Sequence, residues 1–239
     1  ALLEVLDDIG DDAALPALRE ALGDDTPAVR ETAVETLSQW PTPAPMDTLF
    51  DTAATSGDVE LAQEALAGYI RLNGLDSDRA VDETAANYAK ALSQATTETN
   101  KALAIEGLGA LKDEAALPPL YAALTSEDAA VKVAAVEALS DWPNAAPLSK
   151  LREVARTDKL VRALRGFVKL IGRAEGTTDE IAAMYREAMD IAPDAEEKKA
   201  VLSGLANRPS LAALKIALAH LDNEALEEEA EVAVAKIGA

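Results

Sequence analysis

The stretch Ala14–Thr55, ALPALREALGDDTPAVRETAVETLSQWPTPAPMDTLFDTAAT, returns as Ala116–Thr157, ALPPLYAALTSEDAAVKVAAVEALSDWPNAAPLSKLREVART, at a constant offset of 102 with 20 of 42 positions identical. A self-match at fixed period marks a solenoid, in which each unit buries its apolar face against the next copy. Apolar residues recur at helical spacing almost throughout, broken at short intervals by Gly, Pro or Asp, and no stretch alternates with period two. The spacing predicts an all-α chain, at least three-quarters helix: a lone helix over about 1–9, then antiparallel pairs 12–22/26–40, 44–55/58–73, 78–94/97–111, 113–124/127–141, 145–157/159–173, 178–190/195–206 and 209–219/222–238.

Several breaks carry their own chemistry. Thr26-Pro27 offers a hydroxyl cap followed by a proline whose missing N–H is harmless at the first helical position. Trp40-Pro41 and Trp142-Pro143 end helices at equivalent places, because proline disfavours the α conformation of its predecessor. Gly74 and Gly172 stand where a left-handed C-terminal residue is expected. Between Gly68-Tyr69-Ile70-Arg71-Leu72 and Gly166-Phe167-Val168-Lys169-Leu170 the offset is 98, so four residues are missing from the second copy, with a helix connection the expected place. The chain reads as one array over 1–239, duplicated at about 1–100 and 101–198, with a partial third copy over 199–239. Expected buried positions are Leu18, Val29, Ala33, Leu37, Leu49, Leu120, Val131, Ala135, Leu139 and Leu151.

Composition narrows the function. The 239 residues are 49% hydrophobic but only 3% aromatic, as suits helices packed through Ala, Leu and Val. A net charge of −21 repels phosphate backbones and anionic bilayers, which argues against nucleic acid and membrane partners. Absence of cysteine removes disulfides and thiolate metal sites, and no apolar run reaches membrane-span length. The opening Ala1-Leu2-Leu3-Glu4-Val5-Leu6 runs straight into a helical pattern without Met, as expected of a piece of a longer protein.

The segment Leu22-Gly23-Asp24-Asp25-Thr26-Pro27-Ala28-Val29-Arg30, followed by Ala33 and Leu37, resembles a HEAT repeat, in which a turn Asp precedes a Val-Arg pair and then Ala and Leu on the inner face of the second helix. The pattern returns at Val131-Lys132, Ala135 and Leu139, and at Lys101, Ala104 and Leu108. Ser126 replaces the turn Asp and Leu226-Glu227 the Val-Arg pair, so an unbroken Asp–Arg ladder is not expected. The resemblance implies a right-handed α-solenoid of about seven HEAT-like helix pairs with a concave groove. It also implies protein binding; with no nucleophile elbow, phosphate loop, metal-ligand cluster or dinucleotide fingerprint in the sequence, the expectation is a non-catalytic, monomeric scaffold for a protein or acidic peptide segment, without cofactor or metal. Similar short arrays of bacterial type sit in large multidomain proteins, some of them exported. HEAT-like enzymes of the DNA glycosylase or bilin lyase type are the alternative; the acidic charge disfavours the first, and nothing in the sequence identifies a bilin site.

Four features invite a functional reading. Trp40 and Trp142 repeat with the framework and so read as packing residues. His220, the only histidine, has no nucleophile or second imidazole in sequence reach and reads as a surface residue near a helix end. Asp7-Asp8, Asp11-Asp12 and Asp24-Asp25 lack the spacing of a calcium loop. The unusual feature is a cationic run, Lys150, Arg152, Arg156, Lys159, Arg162, Arg165, Lys169 and Arg173, against only Glu153 and Asp158. Arg162, Arg165, Lys169 and Arg173 fall on one helical stripe. At the offset of 98 their counterparts are Glu64, Ala67, Arg71 and Leu75, so the stripe departs from the repeat. It is the candidate contact surface for an acidic partner; pairing with carboxylates of adjacent repeats is the alternative.

Overall fold

A computed structural model describes residues 12–238, so the expected helix over 1–9 lies outside the described residues. Among those residues there are fourteen α-helices, two short 3-10 turns and no strand. In chain order the helices are α1 (Leu15–Ala21), α2 (Pro27–Ser38), α3 (Met46–Thr55), α4 (Val59–Asn73), α5 (Val81–Gln94), α6 (Glu98–Leu111) and α7 (Leu117–Ala123). They continue as α8 (Ala129–Ser140), α9 (Leu148–Thr157), α10 (Val161–Ile171), α11 (Thr178–Ile191), α12 (Ala195–Leu205), α13 (Leu211–Leu218) and α14 (Glu227–Gly238). Helix covers less than three-quarters of the described chain, because turns take more residues than the apolar spacing suggests. The last helix begins at Glu227 rather than 222: Asn223 accepts from the Ala225 amide through its side chain (3.1 Å) and from the Leu226 amide through its carbonyl (2.8 Å), holding a turn there.

Side-chain caps fix most second-helix starts. Asp58 accepts from the Glu60 and Leu61 amides, Asp128 from those of Ala130 and Val131, and Asp194 from that of Glu197. Thr177 and Glu180 form a reciprocal capping box ahead of α11. Thr26 precedes α2 with extended backbone, but its hydroxyl makes no cap bond; Asp24 Oδ1 instead accepts from the Thr26 amide at 2.7 Å. The glycine expectation is also corrected. Gly74 and Gly172 both end their helices in right-handed geometry, and the left-handed residues are Lys112 (φ 50°) and Lys159 (φ 52°). At Gly74 the constraint is steric, since an added Cβ would stand 2.8 Å from the Tyr88 hydroxyl.

The described residues divide into two compact units, one ending at Leu120 and the other beginning at Tyr121. Within the first, α1 packs on α2, α3 on α4 and α5 on α6, while the second helices α2, α4 and α6 stack on one another in turn. Within the second, α9 packs on α10, α11 on α12 and α13 on α14, and the stacked row is α8, α10, α12 and α14. Nine of the ten expected core residues are buried, among them Leu37 and Leu139 with no exposed surface; Val29 is half-buried. Trp40 and Trp142 are buried too, and Trp40 Nε1 donates to Asp12 Oδ1 at 3.0 Å.

Two close approaches repeat between the units. A Cβ on Gly68 would press on the Ser38 side chain and stand 2.9 Å from its Cα, and a Cβ on Gly166 would press on Ser140 and stand 2.9 Å from Leu151 Cδ1. Tyr88 lies over Gly107 as Tyr185 lies over Gly204, where the Tyr185 hydroxyl also donates to the Gly204 carbonyl at 3.0 Å. Small residues therefore set the spacing of both α2 on α4 and α8 on α10, and tyrosines lock the third pair of each copy.

The four missing residues come out of a helix, not a connection. α4 has 15 residues and α10 has 11, while Val59 and Val161 begin them at an offset of 102 and Gly74 and Gly172 end them at 98. Four residues advance a helix by about 400°, one turn plus 40°, so the apolar face stays aligned across the loss.

Candidate functional site

Every member of the cationic stripe has a partner inside its own unit. Arg162 pairs with Glu137 of α8, and Lys169 with Asp141 just beyond that helix. Arg165 holds Glu197 of α12 through Nε, at 3.0 and 3.1 Å to the two carboxylate oxygens, and through Nη2. Glu197 is 6% exposed, so this guanidinium serves a nearly buried carboxylate, which in turn raises the Arg165 pKa through hydrogen bond and charge. Arg173 donates to the Trp142 carbonyl.

Two of these contacts are the repeat itself in altered chemistry. Counted from the helix start, Arg165 corresponds to Gln63, four residues past Val161 and Val59 respectively, and Glu197 corresponds to Asn100, two past the starts of α12 and α6. Asn100 Nδ2 donates to the Gln63 carbonyl at 2.8 Å and to Gln63 Oε1 at 3.2 Å. An amide pair in the first unit is thus an ion pair in the second. Arg173 likewise corresponds to Arg71, whose Nη1 donates to the Ser38 and Trp40 carbonyls at 3.0 and 3.1 Å. Arg208 continues the device, donating to the Gly172 and Ala174 carbonyls, both at 3.0 Å. Each arginine caps the carbonyl end of the preceding second helix, where orphan acceptors and the helix dipole favour a cation. The counterpart Leu75, chosen for Arg173 at the offset of 98, is corrected to Arg71 by this geometry.

The first unit shows what happens without the added cation. Beside Glu35, the counterpart of Glu137, it carries Glu64 instead of a cation. Burial, with help from Glu35 and Glu31, raises the Glu64 pKa. The Asp–Arg pattern is loose as expected: Arg30 Nη1 donates to the Asp24 and Asp25 carbonyls (2.7 and 3.2 Å), while Lys132 reaches across to Asp158 at 2.6 Å. That pair and the Thr157 hydroxyl lower the Asp158 pKa.

Elsewhere in the run Lys150 pairs with Glu153 (3.1 Å) and Arg152 with Glu187 (3.6 Å). Arg156 and Lys159 make no hydrogen bond or ion pair among the described residues, and both are exposed. They border a cleft of about 660 Å³ between the α9–α10 turn and the end of α11. Leu160, Val161, Leu164 and Ile191 give it an apolar floor, and Glu187 and Asp190 stand on the far wall. Lys159 adopts its left-handed conformation at the place of Gly57, and Arg156 replaces Ala54. These two cations, unlike the stripe, have no framework role; their type was legible in the sequence, but their freedom from partners was not.

The remaining candidates resolve as framework or bystanders. His220 is half-buried two residues beyond α13, and burial together with Lys198 lowers its pKa. Asp7, Asp8 and Asp11 lie outside the described residues, and Asp12 is held by Trp40. No group of three or more His, Asp or Glu among the described residues is placed to hold a metal ion, and no described helix is long and apolar enough to cross a membrane.

Comparison with curated proteins returns no match. A family model for HEAT repeats matches residues 1–68 and 85–166, over half of the chain. With that match and its stacked helix pairs, the chain belongs to the HEAT-repeat family.

Proposed function

We propose that the chain is a non-catalytic scaffold that holds a segment of another protein, and that the cleft beside Arg156 and Lys159 is where an acidic, partly apolar peptide docks. HEAT repeats are commonly protein-interaction scaffolds, and this reading adds a surface and a chemistry. The observation that carries it is the pair of uncommitted cations over an apolar floor, in a run whose other members are engaged internally. A carboxylate side chain would meet Arg156 and Lys159 while an adjacent apolar side chain covers Leu160 and Val161. The stripe Arg162, Arg165, Lys169 and Arg173 enters this reading as framework.

The test uses fluorescence anisotropy with a library of short peptides that combine Asp or Glu with Leu, Ile or Phe. Binding should weaken with salt, because exposed charges are screened within about 10 Å at 0.1 M. Arg156→Glu with Lys159→Glu should abolish it. Unchanged binding in that variant, with circular dichroism matching the wild type, would overturn the assignment.

A further inference from the structure

A second cavity, of about 310 Å³, lies in the C-terminal unit between α11, α12 and α13. Arg186 and Asp190 of α11, Lys198 of α12, Lys215 of α13 and His220 just beyond it supply its polar lining, and buried Met189 and Ile216 supply the floor. Among the described residues the side chains of Arg186, Lys198 and Lys215 make no hydrogen bond or ion pair. With Asp190 the only carboxylate on the lining, three cations leave a local charge of +2 while His220 is neutral, in a chain whose net charge is −21. On the cavity lining, cations from three helices thus face a single carboxylate.

We propose that this cavity is a binding site for a dianionic phosphoryl group, carried either on a small phosphate ester or on a phosphorylated side chain. Charge favours phosphoryl over carboxylate: a phosphate ester carries roughly −1.5 to −2 at neutral pH and matches the local excess, whereas a carboxylate leaves half of it. Shape agrees, because a guanidinium offers paired donors to phosphate oxygens and two lysines supply point charges around it. A volume near 300 Å³ is at the small end of ligand sites and suits a headgroup rather than a whole peptide. The site uses none of the cations assigned to the scaffold cleft, and the two proposals stand or fall separately.

His220 supplies the readout, since it is the only histidine and its Hε1 proton gives a single imidazole signal to follow. Burial, and after it Lys198, hold its pKa down, and Arg186, Lys215 and Asp190 line the same cavity. A bound dianion offsets those cations and raises the His220 pKa back toward its ordinary range. The experiment follows the His220 signal by proton NMR on the full 239-residue chain, titrating inorganic phosphate, then glycerol phosphate, then a phosphoserine peptide and its unphosphorylated form. Sodium chloride and sodium acetate at equal ionic strength are the controls, and a pH series in sulfate, which stays dianionic throughout, measures the pKa change.

Saturable shifts with the phosphoryl probes, at least tenfold tighter than acetate, are expected, and Arg186→Gln, Lys198→Gln and Lys215→Gln should each weaken them about tenfold. Lys198→Gln should also raise the His220 pKa with no ligand present, an independent check that the side chains meet. Tighter binding of the phosphopeptide than of glycerol phosphate assigns the group to a partner's side chain, and the reverse order to a small ester. Absence of saturation with every phosphoryl probe, parity with acetate, or indifference to all three substitutions would overturn the proposal.

Discussion

Gly68→Ala sets two physical effects against each other and so has a decisive sign. By helix propensity alone, alanine in the interior of α4 should stabilise by about 1 kcal/mol. The structure predicts the opposite. An alanine Cβ would stand 2.6 Å from Ser38 Cβ and 2.9 Å from Ser38 Cα, closer than real Cβ atoms come to their neighbours. The Ser38 hydroxyl could rotate away, but the Cα belongs to the α2 backbone, so α2 and α4 must separate or slide. Overpacking of this kind costs about 1–3 kcal/mol, with a backbone clash at the upper end. Subtracting the propensity gain leaves a loss of about 2 kcal/mol, read as a lower urea midpoint at unchanged slope by circular dichroism. Ser38→Gly in the same chain removes the hydroxyl and Cβ contacts but leaves the 2.9 Å approach to the backbone Cα, so it should recover only part of the loss. Gly57→Ala, with nothing within 4 Å of its new Cβ, should leave stability unchanged or slightly improved. A Gly68→Ala protein as stable as wild type would refute the argument that this glycine sets the helix spacing.

The core expectation is that Leu37→Ala or Leu139→Ala, both fully buried, costs about 2–5 kcal/mol through lost transfer energy and a cavity, measured by the same urea titration. Arg165→Gln should lower the melting temperature by stranding the Glu197 carboxylate, and adding Glu197→Asn, which recreates the Gln63–Asn100 pair, should recover it; a double variant no better than the single would refute their equivalence. Burial pushes the phenols of Tyr69 and Tyr185 from 10.0 up to about 12. Between those values the unfolded chain has lost protons that the folded chain retains, so this contribution is intact below pH 10 and is lost as pH rises toward 12. Burial raises Tyr88 and Tyr121 as well, so phenolate absorbance in an alkaline titration should show all four tyrosines lagging, with Tyr69 and Tyr185 ionising last, together with the loss of helical signal.

The fold was legible because its signal is redundant: the apolar period, the caps and the self-match all report the same helices. What was not legible lay between helices. The alignment at the offset of 98 is right for Gly68 and Gly166, which touch equivalent serines, but wrong for Arg71 and Arg173, which reach equivalent tryptophan carbonyls at 102. No single offset serves both ends of a helix that has lost a turn. At either offset the stripe keeps only one cation of the first copy, and its partners come from residues 25 to 32 positions away, beyond what periodicity on one helix can see. Cavity-lining cations from three helices were invisible for the same reason. Gly74 and Gly172 were misread because glycine at a helix end signals either a left-handed residue or a close neighbour, and only the packing against Tyr88 tells which applies at Gly74.

The shortened α10 bears on how such arrays diverge. Removing four residues shortens a helix by about 6 Å while rotating its far end by only about 40°, so the protein absorbs the change with its buried face in place. Arg173, displaced beyond the end of its helix, still finds the carbonyl that Arg71 finds from within one. Length in this architecture can therefore drift in whole-turn steps, as a ratchet moves by teeth, whereas single-residue changes would turn the apolar face by about 100° and be eliminated. Related arrays should vary in helix length by three, four or seven residues far more often than by one or two.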